Sequence, residues 1–563
     1  MKRFSLTSQR LAAAVVTLVV SEAQAQVAGV FDERALREDP RQAKTAIAPV
    51  LEGIGTHHHP ITTKSKEAQK FFDQGLKLTF GFNHQEALRA FKEAARLDPD
   101  CAMAYWGWAL VLGPNINLPM QSEVMGQAYE AMQLAVARKD KVSAAERDYI
   151  EALAKRYVAE AAADRAPLDL AYANAMRAVH DKYPEDNDAA MLRAASLMEL
   201  SPWNYWTKDG VPLEHTVEIL QLLEEVLERD PEHEGALHYY IHAVEAVHPE
   251  RGEKAADALL RLAPSVGHMV HMPSHIYIQL GRYDDAYNSN AVAAKADEGY
   301  IAQCHAQGIY PLNYYPHNVH FQGWAAMLQG RSKQAFADAR KLAGGVPENM
   351  VGNIWGLYET FLSMPYFVMV RFGMWDEALN EPMPPETRRY STGVWRYARG
   401  VAFVNRGKVE EARKELTALA KLADDPSMAS YPIGFSKASQ LLDIARLVLQ
   451  GEIAARERKF DAAVADLDRA VRLQDGLLYT EPPDWYYPLR HTLGAVLLEA
   501  GRAAEAEVVY TQDLRKNRNN GYALFGVWKS LEAQGRTAEA AAAEKRFRAA
   551  WAAADVKLAS SRY

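Results

Sequence analysis

The sequence predicts an all-α fold of stacked helix-turn-helix repeats wound into a superhelical solenoid, and three observations carry that reading. From Lys64 onward apolar residues recur at spacings of three and four, and alternating β-branched runs are absent, so helices are expected throughout. Glycine and alanine positions realign at a period of roughly 34 residues, the mark of a repeat array rather than of one core. Pro99, Pro231 and Pro264 close helical stretches, where a proline stops the second helix of a unit. At 563 residues the chain is also too long for a single hydrophobic core, which stacked repeats avoid.

The elements follow in order. Lys2, Arg3 and Arg10 precede an apolar run from Leu11 to Val20, and Ser21-Glu22-Ala23-Gln24-Ala25 is an A-x-A-like cleavage site, so residues 1–25 are expected to be a secretory signal peptide. That run is too short to cross a bilayer, and no later stretch reaches the roughly 18 apolar residues a span needs. The mature chain is therefore expected to be exported without a membrane span, with the bacterial periplasm as its address. Residues 26–63 contain Pro40, Pro49 and the run His57-His58-His59-Pro60, lack helical patterning, and read as an extended arm. Repeats are then expected over 64–200, over a histidine-rich centre at 201–345, and over 346–555.

The clearest unit holds Gly75, Ala87, Phe91, Ala94 and Pro99. Later units place Gly281, Tyr283 and Ala286, then Gly323, Gly330 and Ala335, then Gly400, Gly407 and Ala412 at matching positions. Gly451, Ala463, Leu467 and Ala470 follow, then Gly494, Gly501, Ala506 and Tyr510, and finally Gly535 and Ala540. Small residues let paired helices approach, and glycine at the turn supplies a cap with positive φ. The unit resembles the tetratricopeptide repeat, over most of residues 65–555. The chain further resembles exported bacterial proteins of this class that carry HYYIH, HMPSHIY and HNVHF segments, a likeness that implies no particular activity. Two stretches interrupt the array: an aromatic loop from Ser201 to Pro212 and a tyrosine-rich insertion from Asp297 to Pro316. Insertions of this kind lie on the surface and often cover a site.

Composition excludes some functions. The chain is 49% apolar and 24% charged, with a formal net charge of -8, and it offers no basic footprint for nucleic acid. No phosphate-binding glycine loop, G-x-S-x-G elbow or H-E-x-x-H motif occurs. Cys101 and Cys304 are the only cysteines; the sequence leaves open whether they pair, stay as buried thiols or ligate a metal.

The histidines are distributed unevenly. Ten of seventeen fall between His233 and His320, and seven of those recur at helical spacing, as His238-x3-His242-x2-Glu245, His268-x2-His271-x3-His275 and His317-x2-His320. The tetratricopeptide resemblance implies that the second, fifth, ninth and twelfth places of a unit's first helix face the concave groove. Framed from Pro231, Pro264 and Gly330, all eight residues take such places on three neighbouring helices. Adjacent helices pack roughly 8–10 Å apart, so these side chains can meet around a shared ion. Imidazole suits Zn, Cu, Ni or Fe.

His238, His242, His268, His271, His275, His317 and His320 are accordingly read as the ligand pool for a transition metal of the Cu or Zn class, with Glu245 as a further ligand or general base. Such a centre could serve a metal-dependent hydrolase or oxidoreductase acting on a small molecule. The alternative is a metal-free scaffold that holds a protein or peptide in the groove, with the histidines merely polar or acting as acid and base. Pro273, inside His271-Met272-Pro273-Ser274-His275, is expected to kink or restart its helix and puts His268 and His271 at issue. Tyr277, Tyr310, Tyr314, Tyr315, Asp297, Glu298, His491, Asn115 and Asn117 are secondary candidates for lining the groove, and His57, His58 and His59 read chiefly as a solvated tract.

Overall fold

A computed structural model describes residues 32–160, 162–346 and 356–563. The expected signal peptide, residues 1–25, lies outside the described residues. Among the described residues nearly all regular structure is helical, and the only strands are the two-residue pair Pro432–Ile433 and Ser436–Lys437. None of these helices is long and apolar enough to cross a membrane. Cys101 and Cys304 are both buried free thiols.

Two compact units emerge. The first comprises residues 32–276 and Ser289–Asn318, and the second Tyr277–Asn288 and Val319–Tyr563. In the first, Lys66–Phe80 and His84–Leu97 form a helix-turn-helix pair. Each helix begins on a polar cap: Ser65 accepts from the Ala68 amide and Asn83 from the Glu86 amide. Phe91 explains the small residues of the repeat. A Cβ on Gly75 would meet its ring at 2.7 Å and one on Gly107 at 2.3 Å, so glycine there is what lets three helices close on one phenyl ring. The second unit repeats the arrangement around Tyr510, which a Cβ on Gly494 or Gly526 would strike at 2.4 and 2.3 Å. The turn glycines behave as the pattern predicts: Gly281, Gly330, Gly407, Gly501 and Gly535 all have φ between 72° and 76°.

The N-terminal arm is fastened to the first unit along its length. The Ile47 amide donates to Glu93, the Leu51 amide to Gln74 and the Thr56 amide to Glu234. The Lys92 ammonium donates to the carbonyls of Ala35, Leu36 and Glu38. His57 and His59 are held against Asp188 rather than standing in solvent, which corrects their reading as a solvated tract; only His58 is exposed.

The insertion from Asp297 to Pro316 also differs from expectation. Its first part continues the long helix Tyr283–Cys304, and its second forms a π-helical turn, Tyr310–Tyr314, leading into Tyr315–Leu328. Only a short link between them is irregular, because residues 297–304 carry no proline.

Candidate metal centre

Three helical stretches of the first unit bring six of the seven predicted histidines together. His238 and His242 lie on Glu234–Val244, every residue of which is buried. His268 and His271 lie on Gly267–His271, and His275 follows on Pro273–Leu280. Pro273 restarts the helix after a single turn residue, Met272, which itself keeps helical dihedrals, so the three histidines still point one way. His317 comes from the start of Tyr315–Leu328.

The rings form a continuous chain. Ring centroids are 4.9 Å apart for His238–His242 and for His238–His268, 5.7 Å for His268–His271, and 4.7 Å for both His271–His275 and His271–His317. Within it lie two triads, His238/His242/His268 and His271/His275/His317, each offering three ligand atoms within 4.8 Å of one another. Three imidazole nitrogens converging on one point are a donor set for zinc or copper.

Hydrogen bonds fix how several of these rings are protonated. The Phe80 carbonyl can only accept, so His238 donates to it from Nδ1 and turns its Nε2 lone pair into the cluster. His271 likewise donates from Nδ1 to the Asn290 side-chain oxygen at 2.6 Å, leaving Nε2 to face His275 Nε2 at 2.9 Å. Glu245 stands behind two rings at once: Oε1 lies 3.4 Å from His242 Nδ1 and Oε2 lies 3.4 Å from His275 Nδ1. One carboxylate thus reaches one histidine of each triad from the side away from its partners, the position of an orienting group behind metal-ligating imidazoles.

Four nitrogens stand out. His238 Nε2, His242 Nε2 and both ring nitrogens of His268 are buried without a hydrogen-bond partner. A buried polar atom left unpaired costs about 1–3 kcal/mol. Burial also holds His238, His242, His268 and His271 well below the ordinary histidine range, and lowers His317 to about 3. These imidazoles are therefore neutral at pH 7, the form that can donate a lone pair to an ion. Burial pushes Glu245 up to about 7, against a smaller opposing pull from His275.

The cluster is roofed by aromatic rings from elsewhere in the chain. Phe82 packs on His238, His242 and His268 at 4.5, 5.9 and 5.4 Å. It does so from the turn of the first helix pair with φ of 55°, a left-handed conformation that costs a non-glycine residue about 1–2 kcal/mol. Trp203, from the aromatic loop, lies edge-on to His242 at 5.0 Å, and Tyr314, from the π-helical turn, edge-on to His268 at 5.0 Å. Both insertions do cover the histidines. The consequence is a correction: apart from half-buried His317, the imidazoles are at most 5% exposed and line an interior rather than an open groove.

His320 belongs to the second unit, where its Nε2 lies 2.6 Å from the Tyr486 hydroxyl and its ring packs on Phe361. His491 is likewise a structural residue of that unit, with Nε2 2.8 Å from Asp513 and Nδ1 accepting from Arg371. Of the secondary candidates, Tyr314 touches a triad ring, that of His268. Tyr310 and Asn318 donate to Asp297, which burial raises to about 7, and Tyr315 donates to Glu298. Tyr277 packs beneath Arg282, and Asn115 lies 3.3 Å from His84.

Sequence reasoning missed Phe82 and a second group around Asp188. A bulky residue where a turn favours glycine, in Gly81-Phe82-Asn83, was the available signal for the first. The second could be suspected only from His57-His58-His59 together with the acidic cap Asp186-Asn187-Asp188.

Comparison with protein-family models gives no match, and no curated protein matches the sequence. Similar solved structures include a human IFIT1 dimer with m7Gppp-AAAA, 14% identical over 87% of this chain and 91% of that one, with a TM-score of 0.30. Yeast Tom70 is 14% identical over 86% of this chain and 98% of its own, with a TM-score of 0.31. The APC/C hetero-tetramer Cut9-Hcn1 gives 12% over 82% and 76%, with a TM-score of 0.26. Likenesses at these scores carry no argument, and the helix-turn-helix repeat fold rests on this chain's own paired helices and turn glycines.

Proposed function

We propose that the first unit is a transition-metal site of the Cu or Zn class, holding one ion on His238, His242 and His268 and a second on His271, His275 and His317. The single observation that carries the proposal is the set of four buried, unpartnered imidazole nitrogens in the first triad. Unfilled, they cost the fold about 4–12 kcal/mol together. A bound ion gives at least three of them a partner. Glu245 acts through His242, accepting from its Nδ1–H, and sets its second oxygen 3.4 Å from His275 Nδ1, which strengthens both rings as ligands.

Three imidazoles leave a fourth coordination position open, as in catalytic sites, so the ions are suited to polarise or activate a small molecule. Phe82, Trp203 and Tyr314 exclude anything large. Trp203 is the only one of the three that is partly exposed, which makes its loop the entry point. Hydrolytic and oxidative chemistry both fit this donor set. Export to the bacterial periplasm, expected from residues 1–25, completes the proposal.

The test is elemental analysis of protein prepared without a histidine tag, as wild type and as the His238→Ala/His242→Ala variant. At least two equivalents of bound metal, with at least one equivalent lost in the variant, is the expected result. Metal-free protein whose stability ignores chelator and added zinc or copper would overturn the proposal.

A second reading has its own observation. The repeat helices already grip an extended segment, residues 47–57, through Glu93, Gln74 and Glu234. The same scaffold could hold a partner peptide in that manner, and arm-deleted protein that captures no extended peptide would dismiss it.

A further inference from the structure

A second group of ligating side chains lies where the N-terminal arm crosses the first unit, and it shares no residue with the imidazole cluster. Asp188, in the first turn of Asn187–Met198, is its hub. His57 Nε2 lies 3.1 Å from both carboxylate oxygens, His59 Nδ1 lies 2.6 Å from Oδ2, and His233 Nε2 lies 3.3 Å from Oδ1. Asp188 is 6% and His233 1% exposed. The group opens onto a cavity of about 450 Å³.

The three imidazoles are not equivalent. The Ala236 amide donates to His233 Nδ1, so the neutral ring carries its proton on Nε2 and donates it to Asp188. His233 therefore steadies the carboxylate and has no lone pair to offer at that atom. His57 and His59 are free of that constraint: no backbone amide fixes their tautomers, and both approach Asp188 through a ring nitrogen. Each brings a ring nitrogen to 2.6–3.1 Å from an Asp188 oxygen, and two donor sets whose atoms lie within 4.8 Å of one another share that carboxylate, His57/Asp188/His233 and His59/Asp186/Asp188. With His233 committed to its N–H, the second set is the one that keeps three donors for a zinc shell, whose Zn–N and Zn–O bonds are about 2.0–2.2 Å.

Charge decides between a cation and an anion. Two helix N-termini point here, each worth about +0.5 of a charge. Against them the cavity wall sets six carboxylates, Glu185, Asp186, Asp188, Asp230, Glu232 and Glu234. The wall is net acidic and concentrates a dication. Imidazole in the donor set favours the zinc class over magnesium or calcium, which take oxygen ligands.

We infer that His59, Asp186 and Asp188 bind a zinc-class divalent ion that clasps the N-terminal arm to the repeat helices. His57 and His233 position the Asp188 carboxylate, and water from the cavity completes the shell. One ion on His59, with His57 on the same carboxylate, fixes the backbone from Thr56 to Pro60 against the helix of Asp188.

The experiment uses the full chain, stripped with chelator and titrated with zinc alone. Wild-type protein is followed by hydrogen exchange at the amides of residues 54–59, and zinc content is measured after desalting in wild type, His57→Ala/His59→Ala and His238→Ala/His242→Ala. The clasp predicts at least tenfold slower exchange of the arm on adding zinc, retained in His238→Ala/His242→Ala, and one equivalent of zinc missing from His57→Ala/His59→Ala. Arm exchange indifferent to zinc in the wild type overturns the inference, as does an unchanged zinc content in His57→Ala/His59→Ala. The wild-type exchange result stands even if that variant fails to fold. Because the central-cluster variant is scored separately, loss of the clasp and loss of the proposed metal centre give different patterns.

Discussion

Replacing His268 by leucine should stabilise the metal-free protein and forfeit most or all of that advantage when metal is bound. His268 is 3% exposed and neither ring nitrogen has a hydrogen-bond partner. In metal-free protein, His268→Leu removes two orphaned polar atoms, a gain of about 2–6 kcal/mol. Leucine is similar in volume but not flat, and fitting it between Phe82, His238 and Tyr314 costs about 1–2 kcal/mol. The net expectation is a chelated variant about 1–4 kcal/mol more stable than chelated wild type. With zinc at a free concentration of 100 times its Kd, the wild type gains about 2.7 kcal/mol per site, and the variant forfeits that gain at the first triad. Urea unfolding of both proteins, in chelator and in excess zinc, reads the two differences directly. If His268→Leu destabilises the chelated protein as much as the zinc-loaded one, the ring is ordinary core and the reasoning fails.

Three further outcomes follow from the same geometry. The chelated protein should lose stability steeply as pH falls below about 6.5, because His238, His242, His268 and His271 refuse protons that their unfolded counterparts accept; each adds up to about 1.4 kcal/mol per pH unit, and urea midpoints at pH 7.5 and 5.5 measure it. His57 and His59 work the other way above that range: burial opposes their charged form, the Asp188 carboxylate outweighs it and raises both, so the stability they add grows as pH falls toward the unfolded pKa and is constant below it, where the loss is steepest. Glu245→Gln should keep the metal stoichiometry while weakening affinity about 10–100-fold in competition with a chromophoric chelator, since it reaches the ions only through His242 and His275. His320→Phe should leave metal content unchanged in elemental analysis, because both triads are complete without it and its Nε2 faces Tyr486.

The repeat was legible because its constraints are local. Gly75 and Gly107 must be small to admit Phe91, and Gly330 or Gly407 must tolerate positive φ, so the period shows in one sequence without relatives. Six of the seven histidines were legible for the same reason: spacing of three or four residues fixes a helix face. What spacing cannot convey is what covers that face. Phe82, Trp203 and Tyr314 come from three distant segments, and they turn an expected groove into an interior. His320 packs on Tyr486 and Phe361 of the second unit, contacts with distant segments that spacing within one helix cannot foretell. The Asp188 group was missed because its histidines lie 45 to 131 residues from Asp188, with no periodicity to link them to it.

The central claim is that imidazole nitrogens, not water or carboxylate oxygens, hold metal inside the first unit. X-ray absorption at the edge of the bound metal, on tag-free protein carrying His57→Ala/His59→Ala so that only the central cluster contributes, tests it most directly. The account predicts about three nitrogen scatterers near 2.0–2.1 Å with the outer-shell pattern of imidazole rings. A shell of oxygens without that pattern, or no metal to measure after zinc or copper loading and desalting, would contradict it.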